Sequence, residues 1–103
     1  MQTNGINIAG NIRALERMKA EMLESLAALF KSLIRSGTEE ISEDIAKLIV
    51  CCFLLAKRLG LSFGQVEQRV YDKVRSMSEE QNELLENWHD DIKLFKEYLD
   101  MKK

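Results

Sequence analysis

Apolar residues recur every three or four positions from Asn11 onward, at Ile12, Leu15, Met22, Leu26, Leu29 and Leu33. That spacing lines one face of an α-helix. It predicts a first long helix over 11–35, which Ser36-Gly37-Thr38 ends before a second begins, over 39–59. The second helix changes character halfway along. After Lys47 come nine uncharged residues, Leu48 through Ala56 (LIVCCFLLA), which put apolar side chains on every side. A helix of that kind should be central or lie in a subunit interface. Gly60 is the expected glycine just past its C-terminus.

Two serine-to-glutamine capping boxes follow, Ser62-Phe63-Gly64-Gln65 and Ser78-Glu79-Glu80-Gln81. They predict a third helix over 63–75 and a fourth over 79–98. Glu79, Glu80, Glu83 and Glu86 open the fourth, and Lys93 and Lys96 lie toward its end. That gradient suits the helix dipole and needs no functional cause. Trp88, Phe95 and Leu99 share its helical spacing, as core-packing residues do. No stretch alternates as a strand would, and no proline occurs. The fold class is therefore all-α, a bundle of about four helices in one domain, 1–103, with 1–10 and 100–103 expected to fray.

At 103 residues and 46% hydrophobic, the chain can build one core but sits near the small end of comfortable stability. Together with the apolar second helix, this points to a homo-oligomer, a dimer or tetramer, associating through that helix. A net charge of −2 and a pI near 5.5 give no electrostatic support for nucleic-acid or anionic-membrane binding. The start of the chain has no basic head followed by an apolar run, as a signal peptide would. Nine apolar residues are also far short of the roughly 20 that span a bilayer. The adjacent Cys51 and Cys52 point about 100° apart on a helix and have no CxxC spacing, so they read as small buried hydrophobes. The expected location is cytoplasmic and reducing.

Glu21 and Glu24 lie one turn apart on the first helix, and Asp44 and Lys47 repeat the arrangement on the second. The short connection forces the second helix back antiparallel to the first, so the two pairs can come to face each other. Such a group has three possible uses. Its carboxylates can hold magnesium, with Glu40 or Glu43 within reach from one turn earlier. Lys47 can bind a phosphate directly as a point charge. Or Lys47 can pair with Asp44, Glu24 or Glu21 in a structural ion-pair cluster. His89 is the sole histidine and is expected at or near the surface.

The stretch from Ala20 to Lys73 resembles the MazG family of all-α nucleoside triphosphate pyrophosphohydrolases, relatives of the dimeric dUTPases. Ala20-Glu21-Met22-Leu23-Glu24 stands where that family has EExxE, followed by Ala28-Leu29 as its small and aliphatic pair. Counting back from the Leu59-Gly60-Leu61-Ser62 turn, Asp44-Ile45-Ala46-Lys47 stands where it has ExxD. Lys73, in Val70-Tyr71-Asp72-Lys73, resembles a lysine found after that turn. From Ile12 to Leu99 the chain resembles more closely still the short single-domain MazG-like proteins of bacteria, through Ala27 to Leu33, Cys52 to Phe63 and Trp88-His89-Asp90-Asp91-Ile92.

That resemblance implies a site for magnesium, with manganese as the alternative, held by Glu21, Glu24 and Asp44. It places Lys47 at the fourth ligand position and Lys73 nearby, as phosphate-binding or site-neutralising groups. The function it implies is nucleoside triphosphate binding, or weak hydrolysis to a monophosphate and pyrophosphate, with a metal site degraded by the acid-to-base change at 47. The alternative is a catalytically inactive helical scaffold or regulatory protein.

Overall fold

The computed structural model describes residues 5–35, 37–79 and 88–102, and among them the chain forms four α-helices and no strand. The helices are α1 (Gly5–Arg35), α2 (Thr38–Arg58), α3 (Phe63–Glu79) and α4 (His89–Lys102). The chain divides into two compact units, Met1–Ser62 and Phe63–Lys103. The first holds α1 packed along α2, and the second holds α3 packed on α4. The all-α class expected from periodicity is what forms.

The ends of α2 are set by local chemistry. Gly37 caps its start in an extended conformation with its carbonyl accepting from the Ile41 amide at 3.2 Å. Glu39 and Glu40 in the first turn and Lys57 and Arg58 in the last both suit the dipole. At the far end Gly60 adopts a φ of 92°, the left-handed region that only glycine enters without strain. The Leu61 amide then reaches the Ala56 carbonyl at 2.9 Å and the Gly60 amide the Lys57 carbonyl at 3.1 Å. These two bonds form a Schellman motif, and they satisfy carbonyls that the helix end would otherwise leave open.

Several element ends differ from expectation. α1 begins at Gly5 rather than at 11, because no proline interrupts 5–10 and the glycine at position 10 does not stop a helix already propagating. α3 runs past Arg75 to Glu79, so Ser78 does not open a new helix. Its hydroxyl instead donates to the Arg75 carbonyl at 2.7 Å, a bond back into its own helix that competes with capping. Most of the expected start of the fourth helix lies outside the described residues. At its other end α4 continues to Lys102, helped by a Lys96–Asp100 pair at 3.1 Å and by Lys102 lying 5.6 Å from the Tyr98 ring centre.

The packing is thin. Among the described residues the buried hydrophobics are Ala56 and Val74, at 7% and 5% exposure. On α1 the residues turned from solvent follow Ala14, Leu15, Met18, Met22, Ser25, Leu29 and Ser32. This stripe is offset from the one that periodicity alone picks out, whose Ile12, Leu26 and Leu33 are exposed. Leu23 and Phe30 are exposed beside them. α2 behaves in the same way, with Ile45, Ile49, Val50 and Leu54 all exposed. Its uncharged run is therefore not enclosed by α1, its helical partner within the first unit. Cys52 is exposed and Cys51 half-buried, both free, so only one of them approaches the buried position expected. Trp88 and Phe95 are exposed as well, contrary to a core role.

Two substitutions test this account. Gly60→Ala should cost about 1–2 kcal/mol, since a Cβ there meets no neighbour and only the left-handed backbone opposes it; urea unfolding measures it. Ser25 is 5% exposed and its Oγ has no hydrogen-bond partner among the described residues. Ser25→Ala should therefore raise stability by about 1 kcal/mol, because removing an unpaired buried hydroxyl relieves its desolvation cost.

Candidate functional site

The seam between α1 and α2 carries polar contacts along its length. Near one end, the Asn11 side-chain amide reaches the Arg58 carbonyl at 3.5 Å, the outer limit for a hydrogen bond. Midway, Lys47 Nζ lies 2.7 Å from Glu21 Oε2. Toward the hairpin connection, the Ser32 hydroxyl donates to the Asp44 carboxylate. The three contacts fix the helices as antiparallel, with low-numbered α1 positions opposite high-numbered α2 positions.

Of the acid and base positions singled out by sequence, the structure joins Glu21 to Lys47. Asp44 turns instead to Ser32. Glu24 is exposed and forms no ion pair among the described residues; its charge acts on Lys47 only as a minor influence. Glu40 and Glu43 are exposed on α2, and Lys73 is exposed on α3 in the second unit. His89, at the start of α4, is half-buried, as expected of a residue at or near the surface.

The Lys47 ammonium is held above the usual lysine pKa, first by its hydrogen bond to Glu21 and then by that carboxylate's charge. A folded-state pKa raised in this way adds stability that is fully present below the unfolded lysine pKa. That contribution is lost only as pH climbs through the raised value, so the Lys47 ammonium stays charged across the neutral range. The side chains are 58% and 45% exposed, and exposed pairs of this kind add little to stability.

The arrangement does not fit a magnesium ion. Such an ion wants several oxygen ligands turned to one point, whereas here an ammonium sits on the Glu21 carboxylate and Asp44 is committed to Ser32. Among the described residues no three of His, Cys, Asp and Glu lie close enough to hold a metal.

Beside the pair, a groove of about 750 Å³ opens between the first half of α1 and the last turns of α2. Its polar lining is Asn11, Arg17, Glu21, Lys57 and Arg58, and Ala14, Met18 and Leu54 supply the apolar wall. Sequence reasoning missed this groove. Its bases read as ordinary surface charge, and Lys57 and Arg58 are accounted for by the helix dipole. The available clue was spacing: Asn11, Ala14, Arg17, Met18 and Glu21 share one helical face.

No helix among the described residues is long and apolar enough to cross a membrane. No curated protein and no solved structure matched the chain. The model of the MazG-like family matches residues 8–92, a span that takes in α2 and α3, nearly all of α1 and the first residues of α4. With the seam positions of Glu21, Asp44 and Lys47 all inside that span, the chain belongs to the MazG-like family.

Proposed function

We propose that this MazG-like protein binds nucleoside triphosphates at the α1–α2 hairpin and has lost all or most magnesium-dependent hydrolysis. The observation that carries this reading is the Lys47–Glu21 contact at 2.7 Å. An ammonium stands where the family resemblance implies a metal-ligating acid, and it is bonded to a carboxylate that the same resemblance implies as a ligand. A fixed positive charge there opposes a divalent cation and favours a phosphate.

Incubation with ribo- and deoxyribonucleoside triphosphates plus magnesium or manganese should give little or no pyrophosphate release, while calorimetry detects nucleotide binding. Lys47→Asp should gain magnesium affinity over the natural protein. Robust pyrophosphate release that vanishes in Glu24→Ala would overturn the loss of hydrolysis, and no gain in magnesium affinity would show that position 47 does not face the site.

A second reading, a helical scaffold that works by association, is favoured by one specific observation. Ile49, at 52% exposure, stands with Ile45, Val50 and Leu54 on a largely uncovered α2, opposite an α1 that exposes Leu23 at 70%. Apolar area of this kind favours self-association. Light scattering after size exclusion should give a dimer or tetramer at micromolar concentration. A strict monomer would remove the support for both the assembly and the scaffold reading.

A further inference from the structure

Three cations face the groove, Arg17 from α1 and Lys57 and Arg58 from the end of α2. None of them forms an ion pair with a described residue. Opposing them is one carboxylate, Glu21, and that carboxylate is bonded to Lys47. The groove's local charge is thus set by the three bases, because its one acid is neutralised from outside. The volume lies within the roughly 300–1,000 Å³ typical of small-molecule sites. The apolar wall gives a ligand's uncharged body something to lie against.

We propose that this groove is a metal-independent phosphate site. Arg17, Lys57 and Arg58 take the phosphates of a nucleotide, and Ala14, Met18 and Leu54 face its base or sugar. Lys47 is a positioning residue here: by neutralising Glu21 it lets an anion enter. This deepens the nucleotide-binding reading above and rests on it. Arginine's fork suits phosphate oxygens, and bonds between charged groups are the stronger ones. Without Lys47, Glu21 would repel the same phosphates.

Calorimetry with ATP, dCTP and inorganic triphosphate in EDTA tests the assignment, with circular dichroism confirming that each variant folds. The nucleotides should bind without added metal and more tightly than inorganic triphosphate. Arg17→Ala combined with Arg58→Ala should weaken binding at least about tenfold, and raising the salt should weaken it further. Lys47→Gln should weaken binding about two- to threefold. Glu21→Gln added to that variant should restore it, a rescue that a merely structural lysine would not show.

Nucleotide binding that survives intact in the double arginine variant would overturn the groove and leave the nucleotide-binding reading standing. Absence of binding by all three ligands, with and without magnesium, would overturn both. Inorganic triphosphate binding as tightly as ATP would overturn the role of the apolar wall. Failure of Glu21→Gln to rescue would overturn the role of Lys47.

Discussion

Two residues, 36 and 37, separate a helix of 31 residues from one of 21. So short a connection leaves α2 only one way to run, back along α1. Every arrangement in the first unit depends on that constraint. It sets the Asn11 side chain near Arg58, brings Glu21 to Lys47, and lays Ser32 against Asp44. It also decides which α1 face meets α2, and that face is offset from the stripe that periodicity picks out. Ser25 is buried and Asn11 and Ser32 are half-buried beside Leu15, Met18 and Met22, while Leu23, Phe30 and Leu33 are exposed.

That offset explains what could be read from the sequence and what could not. The helices themselves were legible because their causes are local: the spacing of apolar residues, the glycines at 37 and 60, and dipole-matched charges at both ends of α2. Gly60 was legible as a cap because only glycine tolerates the backbone found there. Periodicity shows that a helix has an apolar stripe, but it does not say what the stripe meets. Ile12, Leu26 and Leu33 therefore read as core and prove exposed. Trp88, just before α4, and Phe95 on it repeat the case, sharing helical spacing yet standing exposed.

The site was legible to a similar depth. That Lys47 would bind an acid follows from chemistry, and that Glu21 would be within reach follows from the hairpin. The choice of Glu21 over Asp44 or Glu24 depends on the rotation of one helix about its axis, and no spacing rule contains that angle. Asp44 is withheld by Ser32, a serine with nothing in its sequence context to mark it. The groove was harder still. Its members come from two separate stretches, 11–21 and 54–58, and two of its cations, Lys57 and Arg58, already suit the dipole at the end of α2.

The Lys47–Glu21 contact is better understood by its field than by its contribution to stability. Both side chains are about half exposed, so water screens their attraction and breaking the pair costs the fold little. Solvent does not erase the sign of the charge. An acid at 47 beside Glu21 would make this stretch of the seam a place where negative charges accumulate and a cation is drawn in. A lysine cancels Glu21 instead, leaving Arg17, Lys57 and Arg58 as the dominant charges of the neighbouring groove. Because the raised Lys47 pKa keeps the ammonium protonated throughout the neutral range, this cancellation is a permanent property of the hairpin rather than a switch. One side chain at one seam position thus sets whether this stretch carries an uncompensated or a cancelled negative charge at Glu21.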